Sequence, residues 1–160
     1  MSLVFSRLTM MGVLLLASSV GVVSAQSTDT IRPTRGIHKI GRNAGPLSTE
    51  ITQIQSIQEL AAGNYIANAV ATAASNDPQF HNVVCFFTVG GSFKGTSVQG
   101  SLGGGINNFV AIPLTIGFVL ETPKSLGVAC STDVENIVVY QPTAISVISV
   151  DKIRGAVVIP

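Results

Sequence analysis

The sequence is poor in the residues that carry chemistry. It has no tryptophan, two histidines and two cysteines, and only 11% of its residues are charged. Two cysteines cannot assemble a cysteine-rich zinc site. Without an indole to stack a sugar, a glycosidase pair among Glu121, Asp133, Glu135 and Asp151 has little behind it, and these carboxylates fall at expected turns or strand starts where solvation accounts for them. No Asn-x-Ser/Thr sequon occurs, so N-linked glycans are not expected. After Gln26 no apolar run is long enough to span a bilayer. Leaving aside Arg7, eight basic and eight acidic residues remain, a formal charge of zero. That balance gives no overall pull toward nucleic acid or anionic membrane. A cofactor loop is missing too. The glycine run Gly103-Gly104-Gly105 leads into a strand-like segment rather than a helix, and no lysine follows until Lys124, so it reads as a β-turn loop and not a phosphate cradle.

What is present begins with a leader. Arg7 supplies a positive start, Met10 to Val23 an apolar stretch, and Val23-Ser24-Ala25 a small-residue cleavage site, so residues 1–25 are expected to be a signal peptide and the chain secreted. Residues 26–46 carry Pro33, Gly36, Gly41, Gly45 and Pro46 together with Arg32, Arg35, Lys39 and Arg42, which predicts an extended or disordered basic arm. In an oxidising compartment, Cys85 and Cys130 inside apolar segments read as one structural disulfide.

Residues 47–160 are expected to form a single domain. Ser48 is placed to cap a helix, Glu50 sits in its first turn, and Leu47, Ile51, Ile54, Ile57 and Leu60 recur at three- and four-residue steps. Tyr65, Ile66, Ala69, Val70 and Ala73 continue that pattern, so a helical segment is expected over 47–75. The apolar stripe packs on the domain's own sheet in a monomer, or forms a dimer seam. From Phe80 the pattern is β. Val83–Val89 is apolar on both faces, Gly90-Gly91 makes a turn, and Ser92–Gly100 reads as a twisted strand. Phe109–Leu120 alternates with Val110, Ile112, Leu114, Ile116, Phe118 and Leu120 on one face, and Pro113 argues for an edge or a bulge. Further short strands are expected over 126–130, 135–140, 144–150 and 155–159. The fold class is mainly β: an antiparallel barrel or sandwich of seven to eight strands over 80–160, preceded by the helical segment.

Candidate catalytic residues are few. Asp77 and His81 are four positions apart and with a serine could make a triad, but no serine has the context of a nucleophile elbow. A turn contact is the simpler reading. No cofactor or metal site is expected.

The central stretch carries a family resemblance. Phe86-Phe87-Thr88-Val89-Gly90-Gly91, then Phe93-x-Gly95, Leu102-x-Gly104, an aliphatic strand and Ser125-Leu126-Gly127 resemble the virulence-associated (Vap) proteins of intracellular bacterial pathogens. The similarity covers roughly residues 80–130. It implies a small secreted protein with a loose N-terminal arm and a compact antiparallel barrel, without enzymatic activity and acting on a host. This chain departs from those proteins in its two cysteines and in the longer segment before the sheet. The expected function is therefore that of a secreted, non-enzymatic β-domain acting on a host or environmental protein or lipid, with Ile106 and Phe109 as exposed contacts. A carrier of small apolar ligands, held in the barrel interior, is the alternative. A hydrolase built on His81 and Asp77 comes third.

Overall fold

The structure, a computed structural model, describes residues 35–41, 45–105 and 108–160. The expected signal peptide (1–25), residues 26–34 and 42–44 of the arm, and Ile106 lie outside the described residues. Among the described residues eleven strands follow one another: β1 (Arg35–Ile40), β2 (Gly45–Pro46), β3 (Thr52–Leu60), β4 (Gly63–Ser75), β5 (His81–Val89), β6 (Ser92–Leu102), β7 (Asn108–Leu120), β8 (Lys124–Thr132), β9 (Val138–Tyr140), β10 (Ala144–Val150) and β11 (Val157–Ile159).

They form two sheets. The larger runs β1-β10-β4-β7-β11, with β9 continuing the line of β10 along β4, and β2 pairing β9. The smaller runs β3-β8-β5-β6. Among the eight longer strands the antiparallel pairs are nested: β5 with β6, β4 with β7, β3 with β8, and β1 with β10. That is the pairing of one long hairpin wrapped over itself, the jelly-roll arrangement of a sandwich. The ladders of the two sheets remain separate among the described residues, so the architecture is a sandwich and not a closed barrel.

The helix expected over 47–75 is absent. Its place is taken by β3 and by the thirteen residues of β4; of the apolar stripe read as helical, Leu47, Ile54, Ile57, Leu60, Ala69 and Ala73 are buried inside the sandwich, whereas Ile51 and Val70 are exposed. Ile54, Ile57 and Leu60 are buried at every third position because β3 shifts register against β8 twice, between Gln53 and Gln55 and between Ile57 and Leu60. Each bulge adds one residue to the two-residue repeat of a strand and yields a step of three. In β4 the buried residues alternate strictly: Ala67, Ala69, Ala71 and Ala73.

Later elements match their expected positions closely. Gly90 and Gly91, with φ of 58° and 80°, make the two-residue turn that joins Val89 to its partner Ser92. Ile112, Leu114, Ile116, Phe118 and Leu120 enter the core from β7 and meet Val83, Phe87, Leu126 and Val128 in one cluster. Pro113 lies where β7 pairs β4 on one side only, since β11 reaches just Phe118–Leu120, so its missing N–H breaks no ladder bond. β5 is covered on both faces: outside the sandwich, Phe86 is 6% exposed beneath an edge-to-face contact with Phe93.

Cys85 and Cys130 stand directly opposite one another on β5 and β8 and form the expected disulfide, with Cα atoms 4.1 Å apart. Both sulfurs face the core, and the bridge joins neighbouring strands of the smaller sheet. On the opposite flank, the Lys39 ammonium donates to the Ser56 carbonyl at 2.6 Å and ties β1 to β3. Part of the expected basic arm is therefore an edge strand. Among the described residues no helix is long and apolar enough to cross a membrane.

Candidate functional site

Asp77 and His81 do come together, and a second carboxylate joins them. His81 opens β5 with its ring turned inward and 3% exposed. Its Nε2 lies 3.5 Å from Asp77 Oδ1 and its Nδ1 lies 3.5 Å from Asp133 Oδ1. The carboxylates are themselves held by backbone. Gln79 N donates to Asp77 Oδ1 at 2.7 Å, and Asn82 N donates to Asp133 Oδ2 at 2.9 Å. The cluster thus ties the β4–β5 turn to the loop after β8. A hydrolytic base must offer one ring nitrogen to a hydroxyl. Here both nitrogens are turned to carboxylates, and Nε2 has no hydrogen-bond partner. The nearby Ser75 hydroxyl accepts from Asp77 N at 3.1 Å and donates to the Ile137 carbonyl at 3.5 Å. Among the described residues no group of three or more His, Cys, Asp or Glu side chains is placed to hold a metal ion.

The outer face of the larger sheet is different in kind. Its outward positions follow from the register, since their neighbours along the middle of β4, β7 and β10 are the buried ones and β1 is placed by its pairing with β10. Ile40, Ala144, Val70 and Pro113 form one row across β1, β10, β4 and β7. His38, Ser146, Asn68 and Thr115 form the next, and Gly36, Ile148, Ile66 and Gly117 the one after. Toward the other end come Thr72 beside Ala111, then Pro46, Val139, Ala74 and Phe109. No Asp, Glu, Lys or Arg occupies any of these positions, and at the Gly117 end Ile153 from the β10–β11 connection packs on the face. The one polar row is bonded along itself: His38 Nδ1 and Ser146 Oγ share a hydrogen bond at 2.6 Å, and Thr115 Oγ1 donates to Asn68 Oδ1 at 2.8 Å.

At the Phe109 end this face dips into a groove of about 510 Å³. Ala74, Val139, Ile137 and Phe109 supply apolar walls, while Thr72, Asn76, Asn108 and Gln141 supply polar ones. Phe109 is 74% exposed. It is held at the rim because Asn108 Nδ2 donates to the Gly103 carbonyl at 2.6 Å and closes the glycine loop before β7. Of the two contacts expected from sequence, Phe109 is thus at the groove. Val70, Ile137 and Val139 were not among the expected contacts. The signal that could have found Val70 is the alternation of β4, whose outward positions carry no charge once the segment is read as a strand. The space between the sheets, where a carrier would hold its ligand, is filled by the side chains of the core.

No protein-family model matches the chain, and no curated protein is similar enough to count as a match.

Proposed function

We propose that the chain is a secreted, non-catalytic recognition domain of the effector or virulence type, which engages a protein or lipid partner in its surroundings through the outer face of the larger sheet. One observation carries the reading. This face spans five rows without a formally charged side chain and ends in a groove beneath an exposed phenylalanine. Extended uncharged patches rimmed by polar residues are what contact sites look like, and an aromatic at the rim is the usual anchor. The disulfide fits an oxidising compartment, which supports secretion.

A small apolar ligand in the groove is the second reading, favoured by a volume within the range of ligand sites. The test is quantitative binding of the wild-type domain and a Phe109→Asp variant to host-surface protein extract and to phospholipid overlays. Loss of an anchoring aromatic costs about 2 kcal/mol or more, so binding should fall roughly 30-fold. Equal binding by the two proteins removes the face from consideration.

A further inference from the structure

We infer that the outer face of the larger sheet pairs with the same face of a second copy of this chain, giving a back-to-back dimer of sandwiches. This rests on reading that face as a contact surface and names its occupant.

Charge favours self-pairing first. A two-fold contact sets each patch against itself, so any surplus of one sign repels its own image. This one has no Asp, Glu, Lys or Arg among its outward strand residues; the charged side chains nearest it are Lys39 on the β1 edge and Asp151, Lys152 and Arg154 on the β10–β11 connection, which lies against one end of the face with Ile153 over Gly117. That places an uncharged centre inside a charged rim, the layout of a protein interface.

Hydrogen bonding favours it too. Burying a polar group without a partner costs free energy, and a foreign partner ordinarily supplies what is lost. Here the His38–Ser146 and Asn68–Thr115 bonds take up the His38 Nδ1 and the Asn68 Oδ1 across neighbouring strands, and leave the His38 Nε2 and the Asn68 amide N–H groups to a partner. An identical copy brings the same row, whose hydroxyl and amide oxygens can accept from the Asn68 amide that is left.

Shape and area agree. Two sheets of the same twist stack face to face with their strands roughly aligned, so each copy brings a surface curved to fit the other. β4 and β7 are each thirteen residues long, β10 seven and β1 six, so at about 3.3 Å per residue and 4.8 Å per strand the four strands make a face of roughly 600 Å². Two such faces bury roughly 1,200 Å², the lower end of the standard size for a specific interface. Val70 and Pro113 sit near its middle, where a dimer is most sensitive.

Sedimentation equilibrium of the mature chain tests this, alongside Val70→Glu and Ala111→Lys on the face and Ser131→Glu on the smaller sheet. Far-ultraviolet circular dichroism and a thermal melt confirm that each variant folds. Ala111 is exposed, so its variant remains informative if Val70→Glu does not fold. The expected result is twice the monomer mass for wild type and Ser131→Glu at micromolar concentration. For both face variants the dimer dissociation constant should rise by more than about a hundredfold, because each would bury an unpaired charge. A monomeric wild type, or a dimer indifferent to both face variants, overturns the inference. Flotation with phosphatidylcholine vesicles separates the two claims. A monomeric wild type that floats, with face variants that do not, makes lipid the occupant and leaves only the self-pairing wrong. A monomeric wild type that neither floats nor loses partner binding in the Phe109→Asp variant removes the contact surface as well.

Discussion

Glu135 shows what single residues do at the open end of the sandwich. Its Oε1 accepts from Thr49 N at 2.8 Å and also from the Thr49 hydroxyl. These bonds, the hydroxyl's first, hold its carboxyl below the usual carboxylate range, against a slight opposing effect of desolvation. A carboxylate whose folded pKa is depressed adds stability that is present above its unfolded pKa and lost as pH falls through the folded one. Wild-type melting temperature should therefore drop on acidification below about pH 5 by an amount that Glu135→Gln does not show, since the variant has no charge to lose. Parallel acid limbs in the two melts would mean that the Thr49 contact does nothing for stability. The same segment explains one misread residue. Ser48 Oγ accepts from Glu50 N at 3.2 Å, much as a helix cap would, so the local chemistry was legible. The chain beyond Ser48 nevertheless becomes a strand, because Leu47 and Ser48 are already committed elsewhere: Leu47 N donates to the Val138 carbonyl at 2.8 Å, and Thr132 N donates to the Ser48 carbonyl at 3.0 Å. Those partners lie more than eighty positions away in the chain. No local pattern announces them. His81 is the converse case. Its link to Asp77 was readable from a four-residue spacing, whereas Asp133 arrives only through the pairing of β5 with β8.

At the scale of elements, periodicity succeeded where strands are regular and failed where they are not. β7 keeps a two-residue repeat from Ile112 to Leu120, and its buried set was legible without coordinates. β3 imitates a helix because two bulges turn its repeat into three, with Glu59 at a positive φ of 52° beside the second. β4 misled for another reason. Alanine is the strongest helix former, yet these alanines face a core that already holds Phe87 and Phe118 and has room for little else. Small residues also set how strands cross. A Cβ at Gly100 of β6 would stand 2.8 Å from Ile112 Cγ1 and 2.9 Å from Val110 Cγ2 of β7. Ile112 is fixed in the core and cannot retreat, so Gly100→Ala should destabilise the fold by about 1–3 kcal/mol, read as a lower urea midpoint at constant slope. Gly117→Ala is the control. Its nearest neighbour is the far end of the flexible Ile153 side chain, which can swing aside, and its midpoint should stay near wild type.

For the whole molecule, the nested pairing makes the order of contacts unequal. The innermost pair, β5 with β6, needs only a two-residue turn, while β1 reaches β10 across more than one hundred positions. Distant pairing is slow because loop closure must precede any gain from the ladder. The disulfide intervenes midway. It joins β5 to β8 over a separation of 45 positions and holds the middle of the smaller sheet in register, with β6 beside β5 and β3 beside β8. Cross-linking a loop of that length removes enough denatured-chain freedom to stabilise the fold by about 4 kcal/mol. A Cys85→Ala, Cys130→Ala double variant should then melt roughly 10–20 °C below wild type. The two alanines leave the strands free to pair, so the sandwich itself should survive and circular dichroism below the melt should be unchanged. Because the constraint acts between elements that are far apart in the chain, refolding of the variant should also be slower, whereas a purely local effect would raise only the unfolding rate. A melt equal to wild type would assign the cohesion of β5 and β8 to the ladder and the core alone, with the sulfur bridge adding nothing to either rate.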